Sequence, residues 1–292
     1  FPFEVVLHDD GSTDETSRIA YDYKSKYPSI IKLIIQNENQ YSKGIRILSE
    51  IAMPACSGEY YAICEGDDYW TYEKKLETQV KFMLENPKVI LTCHAAQIID
   101  AKTNAIVTNR RPTQNPGFIT TDNIILGDGG LIPTPSIVIR SIIKQSIPEW
   151  WKAAHISDYP LALRSTLLGE IYTFNEVWCA YRTNVDGSWS SNAPKTFQGQ
   201  LEHAARMKNI LDGYMNDCLN KNKCSAKVMM SQYYFTAFMK TQAPKREKLT
   251  KFQETKTALI LIDKILIYTS LKTGLKVNWA RKLFLRMKKA GF

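Results

Sequence analysis

Apolar runs and helical stripes alternate through the first hundred residues of this chain. Phe3–Leu7, Ile30–Ile35, Tyr60–Cys64 and Val89–Ala96 are short, mostly apolar runs of strand length. Helical patterns lie between them, at Asp14–Lys26, Lys43–Met53 and Glu73–Glu85. In the last of these Leu76, Val80, Met83 and Leu84 share a face, and Pro87 closes the helix. Strands alternating with helices predict a mainly parallel α/β sheet with right-handed crossovers. Residues 101–135 are rich in Asn, Thr, Gly and Pro and read as a loop, with Gly127-Asp128-Gly129-Gly130 as a flexible junction. Ser136–Arg140 reads as a further strand, and Leu161, Leu163, Leu167 and Leu168 mark a helix. Beyond residue 195 the pattern is helical, at Gln200–Cys218, Ala226–Lys240 and Glu254–Leu271. The expected division is therefore 1–194 as an α/β domain and 195–292 as a helical appendage.

Two of the predicted strands end in clustered acids. Tyr60–Ile63 runs into Cys64-Glu65-Gly66-Asp67-Asp68-Tyr69-Trp70, and Phe3–Leu7 into His8-Asp9-Asp10-Gly11-Ser12-Thr13-Asp14. Ligands of open α/β sheets bind at the carboxyl ends of strands. Carboxylates this close repel one another, and a divalent cation sharing its oxygens with a diphosphate would neutralise them. An acidic turn in water is the plainer account of the first cluster taken alone. In the second, Ser12 followed by Glu15 is a capping-box pattern, so a helix should begin just past Gly11. Capping accounts for Ser12 and Asp14 but leaves Asp9 and Asp10 unexplained.

These paired motifs, in this order and spacing, resemble the signatures of inverting family-2 glycosyltransferases of the GT-A fold, a Rossmann-like fold of nucleotide-diphospho-sugar transferases. Asn37-Glu38-Asn39-Gln40-Tyr41-Ser42-Lys43-Gly44 and Glu176–Asn184 fit the same resemblance, which covers roughly residues 1–192. It implies transfer of a sugar from a nucleotide-diphosphate sugar, a UDP-sugar by family habit, to a hydroxyl of a glycan or lipid-linked saccharide. It places Asp9, Asp10, Lys43, Asp67 and Arg182 on the donor, with Asp10 near the base and Asp67 near the ribose. It gives Glu65, Asp67 and Asp68 to a divalent metal, Mg or Mn, and makes Asp158 the catalytic base. An acid just ahead of a helix also suits an N-cap, and both readings of Asp158 stand. Relatives often carry a second acid before that base and a His two residues after the arginine; Ser157 and Asn184 occupy those positions here. The chain opens in what resembles the family's second strand, so a first β–α unit is expected to be missing. A nucleotidyltransferase of similar fold and a non-catalytic nucleotide-sugar binder are the alternatives. A dehalogenase-type phosphatase wants acids two apart, and Gly11 stands there instead; an EF-hand loop lacks its alternating acids.

Composition adds bounds. The chain has 292 residues, 44% hydrophobic, with a net charge of +9, which is ordinary globular content with an excess of cations. No zinc-finger spacing or RNP-like motif points to nucleic acid. Six cysteines without a Cys-x-x-Cys pair predict reduced thiols in a cytoplasmic protein. Basic residues crowd 272–289 along an apolar stripe of Leu275, Trp279, Leu283 and Met287. Such a helix suits either its own domain's surface or a peripheral contact with the anionic inner face of the cytoplasmic membrane. Ala258–Leu271 is too short and, with Asp263-Lys264, too charged to span a bilayer.

Overall fold

The computed structural model describes residues 1–188, 193–219, 222–273 and 281. The predicted basic stripe at 272–289 lies outside them except for Lys272, Thr273 and Arg281. The chain divides into two compact units, one of 1–119 and 129–182 and one of 120–128 and 183–292.

The first unit opens with β1 (Val5–Asp9), α1 (Thr16–Lys26) and β2 (Ile31–Ile35). The helical crossover makes β1 and β2 parallel, from Val5 opposite Ile31 to Asp9 opposite Ile35. In α1 the 3.6-residue spacing signals a helix but not burial: Ala20 is buried, while Ile19 and Tyr23 are about half exposed. The capping box does not form. The side chain of the N-cap residue Glu15 makes no capping bond, and the Ser12 N–H donates to Asp9 Oδ1 at 3.0 Å instead. The expected helix at Lys43–Met53 breaks up. Gly44, at φ 91°, stops a 3₁₀ turn, and the chain continues as a π-helix over Ile47–Ala52 into the short α2 (Met53–Ala55).

The remaining strands are β3 (Tyr60–Ala62), β4 (Tyr69–Trp70), β5 (Val89–Asp100), β6 (Ile106–Arg110), β7 (Gly117–Phe118), β8 (Val138–Arg140) and β9 (Glu170–Thr183). They form a second sheet in the order β3-β8-β5-β9-β4, with β6 on β5 and β7 on β9. The mixed α/β class is as expected, but the strands are not mainly parallel. β8 pairs antiparallel with both β3 and β5, so it lies between two strands that themselves run the same way. The crossover helix α3 (Lys75–Glu85) does its expected work, and β8 enters between its two strands. Met83, Val89 and Val138 join the helix to this sheet in a buried cluster. Residues 101–135 are not a plain loop. Asp100 Oδ1 accepts from the Lys102 and Thr103 N–H groups and turns β5 into β6.

The second unit contains α4 (Thr121–Gly127), α7 (Phe197–Asp217), α8 (Lys223–Lys240), α9 (Lys245–Thr255) and α10 (Leu261–Thr273); α5 (Glu149–Lys152) and α6 (Asp158–Leu168) belong to the first. The single helix expected at Glu254–Leu271 is two, because the Ile260 N–H donates to Ser231 Oγ at 2.9 Å beside the break. Asp263 is fully buried between Ser231 and Arg281, whose guanidinium it binds through two nitrogens. Among the described residues no helix is long and apolar enough to cross a membrane.

Candidate active site

Strand pairing builds the site from β3, β4 and β9. β3 ends at Ala62, and the turn that follows carries Glu65, Asp67 and Asp68 before β4 pairs with β9, Tyr69 opposite Ala180 and Trp70 opposite Cys179. Two residues further along β9, the Arg182 N–H donates to Asp68 Oδ1 at 2.8 Å. Each of the three acids offers an oxygen within 4.8 Å of those of the other two.

The electrostatics are those of an uncompensated cluster. Burial lifts the Asp68 carboxyl to about 7, Asp67 adds to the rise, and the Arg182 N–H and guanidinium oppose it. Its Oδ2 is buried with no hydrogen-bond partner. The Glu65 carboxyl rises to about 8 through lost hydration and then repulsion from Asp68, Asp158 and Asp67, while the Thr134 hydroxyl pulls it down. As a residue Glu65 is open to solvent, with its carboxyl standing among these acids. Tyr181 beside them is raised to about 12, by burial first and by Glu65 and Asp68 next. An all-carboxylate oxygen set with an orphaned buried oxygen and raised proton affinities fits a hard divalent cation.

Asp158 opens α6, and its Oδ1 accepts from the Tyr159 N–H at 2.8 Å. Ser157 holds the N-cap position and makes no side-chain cap bond. Asp158 is close enough to raise Glu65, so base candidate and acidic cluster share one electrostatic neighbourhood. Gly129 bears directly on it. A Cβ built there would lie 3.0 Å from Asp158 Oδ2 and 3.4 Å from Oδ1.

The upstream acids are engaged with the chain itself. Asp9 is 3% exposed and accepts from the Ser12 N–H and the Ser17 hydroxyl. Burial opposes its ionisation and these hydrogen bonds outweigh it, leaving the carboxyl below its usual range. Asp10 accepts from the Gln40 and Tyr41 N–H groups at 2.8 and 3.0 Å, fixing the Asn37–Gly44 segment against β1. Lys43 pairs with Glu38 at the surface. Glu65, Asp67, Asp68, Asp158 and Arg182 thus converge, while Asp9, Asp10 and Lys43 make structural contacts elsewhere in the same unit. Thr134 and Gly129 carry no chemical signal of their own in the sequence, and Tyr181 enters there only within the Glu176–Asn184 segment. The glycine run was visible, but contact with an acid some thirty residues on has no local signal.

The sequence profile described as glycosyl transferase family 2 matches residues 1–146, half of the chain. An uncharacterized protein of Mycobacterium tuberculosis is 31% identical over 191 residues, covering 65% of this chain and 53% of the relative. An uncharacterized glycosyltransferase of Nostoc is 26% identical over 238 residues, 78% of this chain and 70% of its own. The chain thus spans about half the length of the mycobacterial relative. Among solved structures, residues 1–349 of S. aureus TarS in complex with UDP-GlcNAc superpose with a TM-score of 0.61 at 16% identity. The match covers 94% of this chain and 84% of that one, a likeness of fold.

Proposed function

The chain belongs to glycosyl transferase family 2, and we propose that it transfers a sugar from a nucleotide-diphosphate sugar to an acceptor hydroxyl with inversion at the anomeric carbon. The observation that carries this reading is the convergence of Glu65, Asp67 and Asp68 within 4.8 Å, with Asp158 in the same field. UDP is the nucleotide we favour, since the TarS fold relative was captured with UDP-GlcNAc. A glycan or lipid-linked saccharide is the acceptor we favour.

Glu65, Asp67 and Asp68 would hold a divalent cation, Mg or Mn, which supplies charge neutralisation for the departing diphosphate. Arg182 adds a positive charge at the same place and fixes Asp68 through its backbone. Asp158, ionised, accepts the proton of the attacking hydroxyl, and attack on the face opposite the leaving group inverts the centre in one displacement. Gly129 leaves that carboxylate its space. Asp10 acts through the Asn37–Gly44 segment, whose backbone it holds, and Asp9 fixes the neighbouring turn through Ser12 and Ser17; we assign the nucleotide's base and ribose to this region with Lys43 beside them. Asp158→Asn tests the reading. UDP affinity should stay near that of the parent while turnover falls about 100-fold or more. Turnover at the parent's rate would show the base to be misassigned, and a nucleotide-binding protein without transfer would show no turnover in either form.

A further inference from the structure

Two exposed aromatic rings border the acidic cluster, and each is held from behind by a buried group. Trp70 is 37% exposed, and its indole N–H donates to the Pro135 carbonyl at 2.9 Å. Lys75 Nζ lies 4.4 Å from the centre of the same ring. That lysine is 1% exposed and its Nζ finds no hydrogen-bond partner, so the negative face of the indole is the pole it meets. Lost hydration brings its ammonium down to about 7. Tyr72 is 38% exposed and stacks on the buried Trp178, with centroids 5.2 Å apart and planes 28° from parallel. Both rings are pinned in place while more than a third of each residue faces solvent.

Their position ties them to the site. β4 begins directly after Asp68. Pro135, which fixes Trp70, follows Thr134, whose hydroxyl bonds the Glu65 carboxyl. The rings thus stand two and four residues past Asp68, on the segment that leaves the acidic cluster. Rigid aromatic faces beside a few carboxylates suit a molecule with C–H-rich faces and a hydroxyl-rich edge, which is the build of a pyranose. β4 is an end strand in the sheet order, among the described residues.

We propose that Trp70 and Tyr72 form the platform on which a pyranose ring of the acceptor saccharide stacks, an assignment that rests on the glycosyl-transfer reading above. Lys75 and Trp178 are positioning residues for the two rings.

The experiment compares the parent chain with Trp70→Leu, Tyr72→Ala, Trp70→Phe and Tyr72→Phe, each checked for an intact thermal transition. UDP with Mn is titrated first and should bind all five within about twofold. If the parent fails to bind it, the UDP-sugar reading of the site fails, separately from the platform, which the saccharide screen still reads. Saturation-transfer NMR with UDP and Mn present then screens β-1,4-glucose, β-1,4-N-acetylglucosamine and α-1,4-glucose tetrasaccharides. At least one should bind the parent, weaken about 10-fold or more in the Leu and Ala variants, and recover in the Phe variants, since an aromatic contact is worth roughly that much. Binding of no tetrasaccharide by a parent that binds UDP, or equal binding by parent and ring-less variants, overturns the platform. A loss confined to UDP-N-acetylglucosamine relative to UDP would place the donor's sugar on the rings and overturn the acceptor assignment.

Discussion

Raising the pH should destabilise the metal-free protein, because the folded state holds protons on its acidic cluster that the unfolded chain does not. Asp68 carries its proton up to about 7 in the folded state, against 3.8 ordinarily. Between those values the folded state binds more protons, so stability is present at low pH and is lost as pH rises toward 7. A shift of about 3 units corresponds to about 4 kcal/mol, and solvent screening at a partly open site cuts this to about 2. Glu65, raised to about 8, acts in the same direction over a window reaching one unit higher. In a chain of this size about 2 kcal/mol is roughly 4–8 °C in Tm. His94 pulls the other way below pH 6.5, since burial holds its imidazole down to about 3. Asp68→Asn keeps the oxygen that accepts the Arg182 N–H and leaves His94 untouched, so the parent-minus-variant difference isolates the cluster. Scanning fluorimetry from pH 5 to 8 should show that difference falling with pH. Mn at about 100 times its Kd should add about 2.7 kcal/mol at pH 8, almost nothing at pH 5, and little at either pH in Asp68→Asn. A parent-minus-variant difference that is flat or rises with pH would refute the reasoning.

Gly129→Ala should leave UDP affinity unchanged and lower kcat roughly 3–10-fold, since a Cβ 3.0 Å from Asp158 Oδ2 moves that carboxylate by tenths of an ångström; unchanged kcat would show that Gly129 does not set the base's position. Asp263→Ala leaves Arg281 without its buried carboxylate and should destabilise the helical unit by about 3–5 kcal/mol, read as an earlier thermal or urea transition. Gly11→Ala puts a side chain at φ 78° and 3.0 Å from the Asn39 backbone, and should cost about 1–3 kcal/mol with β1 and its neighbours loosened in hydrogen exchange.

What the sequence disclosed, and what it did not, divides by the range of the interaction. The acids of 65–68 were legible because a strand end and a turn bring near neighbours together. Asp158 is proposed as the base through a family resemblance, since nothing local separates a base from a cap. The structure puts the two in one electrostatic neighbourhood, where Asp158 helps to raise the Glu65 carboxyl. Asp9 and Asp10 stand out in the sequence as acids that helix capping does not use. Yet Asp9 satisfies Ser12 and Ser17 while Asp10 satisfies backbone thirty residues away, and only the β1–β2 pairing makes the latter possible. The β5–β6 hairpin has turn chemistry at Asp100-Ala101-Lys102-Thr103-Asn104, but β6 is a five-residue strand whose Thr108, Asn109 and Arg110 read as loop. β8 escaped its true place for a stronger reason. Its apolar run announces a strand, but the order β3-β8-β5 is a property of the sheet. The loop leading into β8 supplies Thr134 to Glu65 and Pro135 to Trp70, so a strand inserted between two parallel ones also sets the wall of the site. A local pattern names the carboxylates, and the insertion of β8 decides what stands beside them.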